Sequence, residues 1–302
     1  MALGFSHASP NPRPGVPPML TASRFYALPV AHIGVDTEAR FFGSIKAADG
    51  TFKRTAAGRF AEVDRQLVEQ FRVAGARINS VLDIGVSSGI TALELFEALV
   101  SAGHQAQLTG TDRLVDASIL TLYRGCRALV DANGFPLQYD IAGRPVRPWL
   151  RRLDFVTGAA LARPILDRLL RRRIRQVREQ RGHAGHSVKL VTPRLTDADS
   201  FEILSDDIMA LNPAFLGRFD LVRAANILNR HYFGEARLRI ALSHVRRYLR
   251  GPGTWLFIVR THGEDEHHGT LFRMNSAGTL DPIHRFGRGS EVEHLAMSVF
   301  GG

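Results

Sequence analysis

One cysteine, Cys126, stands in 302 residues, so the chain forms no internal disulfide and a reducing compartment is expected. No apolar run approaches the roughly 20 residues that cross a bilayer, which excludes an integral helical membrane protein. The opening residues show no basic region followed by an apolar stretch and a cleavage site, so a cytoplasmic location is expected, with contact at a membrane periphery left open. Internal repeats are absent. Few aromatics interleave with the arginines, which counts against a base-stacking nucleic-acid surface.

Acidic residues are in deficit. Lysine and arginine total 39 against 29 aspartates and glutamates, a net charge of +10, and most of the excess falls between Arg147 and Arg181, where 11 arginines meet three acids. Ala162, Ile165, Leu166, Leus 169 and 170, Ile174 and Val177 share one helical face there, with Arg173 projecting into it. Such a helix suits a cap packed on a core with a solvated basic back, or a surface for anionic lipid; RNA or another polyanion is the lesser alternative.

The opening stretch is rich in proline, glycine and serine, and residues 1–57 are expected as a flexible arm. From 58 onward the pattern alternates. Phe60, Val63, Leu67, Phe71 and Ala74 predict an amphipathic helix, Val81 to Ile84 a buried strand, Thr91 to Leu99 a helix, and "AQLTGTD" a second strand ending at Asp112. Asn133-Gly134 and Ala142-Gly143 turns predict a small hairpin, so about 125–185 reads as an insertion. The core then resumes with strands ending at Ser205 and spanning Phe219 to Arg223, a helix from Glu235 to Leu249, the strand "TWLFIVRT" and a terminal hairpin.

Alternating strands and helices imply a largely parallel sheet, which binds ligands beyond the carboxyl ends of its strands where strand order reverses. "SVLDIGVSSGIT" places Gly85 and Gly89 in a turn at that edge. The spacing is not G-x-G-x-x-G, and Asp83 beside the turn would repel a pyrophosphate while suiting a cationic ligand. Asp112, ending the second strand, is placed to accept hydrogen bonds from ribose hydroxyls.

"VLDIGVSSG", "LTGTD", "FEILSDDI", "FDLVRAANILNRHYF" and "LRGPGTWLFIVRT" together resemble the class I S-adenosylmethionine-dependent methyltransferases, over roughly residues 58–125 and 200–270. The resemblance implies a doubly wound, mostly parallel, Rossmann-like α/β fold with a seven-stranded sheet, carrying the arginine-rich helical and hairpin insertion within a methyltransferase domain of residues 58–302. It also implies S-adenosylmethionine as cofactor. By that resemblance Asp83, Gly85 and Gly89 meet the methionine portion, Asp112 the ribose, and Asp207 or its rival Asp206 the adenine amino group; Arg113 and Ala224 fall in the same cofactor set. Ser87 stands where the common pattern has glycine, and its hydroxyl becomes a candidate cofactor contact. No amino-methylase Pro-Pro-Tyr signature follows the fourth strand.

Methyl transfer from a sulfonium depends chiefly on proximity and orientation, and a hydroxyl acceptor also needs a general base. His231 is the candidate base and Asn226 the candidate orienting group, with Asn229, Tyr232 and His262 as further candidates. The "HGEDEHH" run at 262–268 has metal-ligand residue types without a partner pattern, and no metal is expected. The acceptor is expected to be a small or lipid-like molecule, with an RNA or protein methyltransferase, a non-catalytic cofactor-binding protein and a nicotinamide oxidoreductase as alternatives.

Overall fold

The structure, a computed structural model, describes residues 19–53, 55–149, 159–181, 185–195, 199–263 and 266–301. In chain order, helices α1 (Ala22–Phe25), α2 (Val35–Phe42) and α3 (Ala61–Val73) precede strand β1 (Ser80–Ile84), helix α4 (Ile90–Ser101) and strand β2 (Gln107–Asp112). Strands β3 (Asp116–Tyr123), β4 (Cys126–Asp131), β5 (Pro136–Ile141) and β6 (Arg144–Val146) follow, then helix α5 (Ala159–Arg181) and strand β7 (His186–Lys189). The remainder is β8 (Phe201–Ser205), β9 (Leu221–Ala225), α6 (Glu235–Tyr248), β10 (Trp255–His262), β11 (Glu266–Met274), β12 (Leu280–Phe286) and α7 (Glu293–Gly301).

Seven strands form one sheet in the order β12-β11-β10-β9-β1-β2-β8. The run from β8 to β10 is parallel, and β11 and β12 close the edge as an antiparallel meander. β1 pairs with β2 on one side and β9 on the other, so the strand order reverses at β1 and a crevice opens beyond its carboxyl end. Helices cover both faces. Phe60, Val63, Leu67 and Phe71 of α3 and its start pack with Leu95 and Leu99 of α4 on one face; Leu238, Leu242 and Val245 of α6 pack with Leu295 and Phe300 of α7 on the other. This is the doubly wound, mostly parallel α/β sheet expected, and the terminal hairpin is present as β11 and β12.

The segment between β2 and β8 is larger than a hairpin. β3 to β7 build a second, antiparallel sheet in the order β6-β5-β4-β3-β7. Both predicted turns exist, joining β4 to β5 and β5 to β6, but β3 starts at Asp116, before the expected boundary at 125. The stretch "DASILTLY" forms that strand with Ala117, Leu120 and Leu122 buried. One face of this sheet takes α5 through Leu170, Ile174 and Val177.

The other face takes the N-terminal residues. Phe25, Phe41, Phe42 and Ile45 are fully buried with Leu129, Leu137 and Leu190, and Phe25 stacks on Phe41 at 4.1 Å between ring centroids. Glu38 of α2, wholly buried, holds Arg194 at 2.8 Å. The expected arm of residues 1–57 is therefore a packed element from about residue 20, because four large apolar side chains within 21 residues supply enough buried area to offset ordering the chain. Residues 1–18 lie outside the described residues.

Helix α5 continues through Arg173. The arginine that seemed to spoil the apolar face donates from Nε to the Leu122 carbonyl at 3.1 Å and lies 5.1 Å over the Tyr123 ring, so a carbonyl at the end of β3 and an aromatic face replace the acid that the pattern lacks. Leu170, Ile174 and Val177 face the protein's own sheet, whereas Ile165 and Leu169 are more than half exposed. The arginines between 151 and 163 lie outside the described side chains.

Candidate functional site

A cavity of about 490 Å³ lies at the carboxyl ends of β1, β2, β8 and β9, where the strand order reverses. Its size falls within the roughly 300–1,000 Å³ typical of small-molecule sites. Asp83, Gly85, Ser87, Asp112, Arg113, Asp206, Asp207, Asn226 and His231 all line it. Gly89 and Ala224 do not: Gly89 opens α4 in the left-handed conformation, φ 79°, and Ala224 is buried within the sheet.

The two glycines are required by packing as much as by any ligand. A Cβ on Gly85 would stand 2.2 Å from the Ile227 side chain, and one on Gly89 would stand 2.3 Å from Leu195. What approaches the turn closely is thus the loop after β9 and the segment after β7. Ser87 sits between them at φ 54°, a left-handed conformation that glycine adopts freely and serine at a cost of about 1 kcal/mol.

Asp83 does not offer a free charge to the turn. Its carboxylate is buried and forked onto Arg223 of the neighbouring strand at 2.9 and 2.6 Å, so the expectation that it meets a cationic ligand end by direct charge is corrected. Asp64 of α3 stands 3.6 Å from the same guanidinium with no hydrogen bond to either carboxylate oxygen. Burial lifts the Asp64 carboxyl to about 7, the nearby charge of Asp83 adding to the effect and Arg223 opposing it.

Asp112 holds the centre of the site. Its Oδ2 accepts the Ser87 N–H at 2.9 Å, and its Oδ1 accepts the Leu114 N–H at 2.9 Å and lies 3.1 Å from the Lys53 ammonium. The acid at the end of β2 is thereby fixed to the turn after β1. At the end of β8, Asp206 accepts a hydrogen bond from Asn212, and burial raises its pKa. Asp207 accepts the Met209 N–H and pairs at 3.4 Å with the exposed Arg113. Neither caps an α-helix; the nearest helical turn, residues 213–215, is capped by Asn212.

The loop after β9 is built on two asparagines. Asn226, at φ 63°, donates its N–H to the Val259 carbonyl and accepts the Thr261 N–H on its side-chain oxygen, which gives it the work of a corner joining β9 to β10. Asn229 is buried and gathers the loop, donating to the carbonyls of Asn226 and Ile227 and accepting the N–H groups of His231 and Tyr232. That frame presents the exposed His231 and Tyr232 at the cavity rim. His262 is not among the lining residues; its ring packs on His268 at 4.8 Å.

Several lining residues lie outside the positions singled out in the sequence. Arg237, 5.1 Å over the Phe233 ring, and Arg260, paired with Glu291 at 2.8 Å, add positive charge to the lining. Asp49, Thr51, Phe52 and Lys53 reach the cavity from the N-terminal segment, through a hairpin in which Lys46 pairs with Phe52 around Gly50 at φ 90°. Asp49-Gly50 was the available signal, because an Asp-Gly pair between apolar residues marks a tight turn.

No protein-family model matches this chain, and no curated protein is similar to it in sequence. Solved structures show low-scoring partial similarity. The sugar N-methyltransferase KedS8 from Streptoalloteichus is 12% identical over 100% of this chain and 90% of its own, with a TM-score of 0.34. The SAM-bound amino pentose methyltransferase CalS10 from Micromonospora echinaspora is 12% identical over 80% and 82%, TM-score 0.33. The N-methyltransferase NodS from Bradyrhizobium japonicum, in complex with S-adenosylhomocysteine, is 15% identical over 67% of this chain, TM-score 0.30. The matching region spans 62% of that NodS chain, less than two thirds of its length. At such scores the likeness carries no argument, and the cavity is read from its own residues.

Proposed function

We propose that this chain is an S-adenosylmethionine-dependent methyltransferase acting on a small-molecule acceptor. The observation that carries this reading is the convergence, on one cavity at the strand switch point, of the glycine turn after β1, the Asp112 carboxylate after β2 and the acid pair Asp206–Asp207 after β8. The donor set fits an adenosyl ligand. Asp112 keeps acceptor capacity on Oδ2 for a ribose hydroxyl, since a carboxylate has about four lone-pair sites and three donors are in place. Asp206 and Asp207 supply acceptors for an amino group, and Phe52, Phe60 and Ile208 supply apolar wall.

When bound, S-adenosylmethionine supplies an activated methyl group on a sulfonium. The chain's share is to orient and to exclude water. Asn229 fixes the loop that carries His231 and Tyr232, and His231, exposed at the rim, is the group able to take a proton from a hydroxyl or amine acceptor. Asn226 positions that loop through Thr261. An acceptor of small size suits a cavity of about 490 Å³ that must also hold the cofactor.

The reading is tested by calorimetric titration with S-adenosylmethionine, S-adenosylhomocysteine and NAD in parallel. Binding of both adenosyl ligands in the micromolar range without NAD binding supports it. Binding of NAD alone transfers the site to nicotinamide chemistry, and silence from all three removes it.

A further inference from the structure

Lys53 is a buried cation whose role the reaction does not explain. It is 4% exposed, and its Nζ has two partners, Asp112 Oδ1 at 3.1 Å and the Ser87 carbonyl at 3.2 Å. Both belong to the proposed cofactor site: the acid ending β2 and the turn following β1. Burial pushes the ammonium's pKa down, and the Asp112 carboxylate pulls it back up. A lysine taken out of water is costly unless paired, so its placement between these two groups must be held by the surrounding fold. That fold is the Lys46–Phe52 hairpin, anchored by the buried Ile45, whose carbonyl accepts the Lys53 N–H.

We infer that Lys53 is a positioning residue of the ribose end of the cofactor site, and that the N-terminal hairpin is part of that site's wall. The inference rests on reading the cavity as an adenosyl site. Lys53 and the Leu114 N–H engage Oδ1 while the Ser87 N–H engages one side of Oδ2, which fixes the carboxylate plane and leaves the second side of Oδ2 for a hydroxyl. By bonding the Ser87 carbonyl as well, the same ammonium sets the distance between turn and acid. The residues adjoining it, Asp49, Thr51 and Phe52, line the cavity, so a ligand seated against Asp112 also meets the hairpin. Lys53 acts through Asp112 rather than on the transferred group.

Calorimetric titration with adenosine and with S-adenosylhomocysteine tests this in the wild type, Lys53→Met, Asp112→Asn and the double variant. Lys53→Met is expected to weaken both ligands by about the same factor, on the order of tenfold, because adenosine carries only the ribose end. On the Asp112→Asn background the same substitution is expected to change little, since the group it positions is gone. Equal losses on both backgrounds, or wild-type affinity in Lys53→Met, overturn the inference. Should Lys53→Met fail to fold, amide exchange of the wild type decides: S-adenosylhomocysteine slows exchange across residues 45–53 as it does at Ser87 and Leu114, and an unprotected hairpin overturns the assignment. A wild type that binds no adenosyl ligand takes the cofactor reading down with it, whereas binding without any dependence on Lys53 removes this inference alone.

Discussion

Arg223 of β9 and Asp83 of β1 stand directly opposite one another in the parallel ladder and form a two-pronged ion pair with almost no exposure to solvent. The pair lies beneath the glycine turn and joins the two strands between which the sheet changes direction. Removing the cation strands Asp83 and Asp64 in the interior. Breaking a buried pair from one side costs about 3–5 kcal/mol, so Arg223→Met should lower the free energy of unfolding by roughly that amount in a denaturant titration. A loss under about 1 kcal/mol would mean that the network is solvated or rearranges freely.

Asp64 gives the same network a pH dependence. Its folded pKa of about 7 lies well above the roughly 3.9 of an unfolded aspartate, so the native state holds a proton that the unfolded state releases. The stability it contributes is fully present below pH 4 and disappears as pH rises to about 7. Asp64→Asn, which carries no titrating proton, should flatten that part of the stability–pH curve and be the more stable protein at pH 8. Parallel curves for the two proteins between pH 4 and 7 would contradict this origin.

Ser87 bears a strained backbone at the cavity wall. Ser87→Gly relieves the left-handed strain and keeps the N–H that Asp112 accepts, so unfolding free energy should change by no more than about 1 kcal/mol, in the stabilising direction. If the serine hydroxyl contacts the cofactor, S-adenosylhomocysteine affinity falls while stability holds. Calorimetry beside thermal unfolding separates the two effects.

The arginines of α5 divide into two sets. Arg171 pairs with Asp167 and lies over the Phe135 ring, Arg173 bonds the Leu122 carbonyl and Arg178 the Ala132 carbonyl, so these tie the helix to its sheet. Arg168, Arg172 and Arg175 are exposed beside the exposed Ile165 and Leu169. Replacing the exposed three with glutamine should leave the melting temperature unchanged, and replacing Arg173 should lower it. Co-sedimentation with anionic vesicles tests the surface reading of the exposed set: binding by the wild type that the triple glutamine variant loses supports it, and no wild-type binding, or equal binding by both, leaves the helix as a plain cap.

The core was legible because its signals are local. Val81–Ile84, the glycines after it and the spacing from Thr91 to Leu99 record a strand, a turn and a helix within 20 residues, and Asp112, Asp206 and Asp207 follow apolar runs that could only be strands. Long-range packing was not legible. Nothing near Phe25 or Phe41 reveals that their partners are Leu129 and Leu137, a hundred residues away, so a packed segment reads as an arm. The same distance hid Lys53, whose partners are Ser87 and Asp112, and Arg223, whose pairing with Asp83 depends on the β1–β9 register. Gly89 read as a ligand contact because a left-handed glycine looks alike in sequence whether a ligand or Leu195 lies against it.

The reading of the cavity rests most directly on Asp112 and a ribose. The measurement that tests it is the affinity of S-adenosylhomocysteine for the wild type and for Asp112→Ala, by titration calorimetry on protein shown to be folded. A loss of about 1–3 kcal/mol, the worth of hydrogen bonds to a charged acceptor, is predicted. Unchanged affinity would place the adenosyl group elsewhere and contradict the assignment of this site.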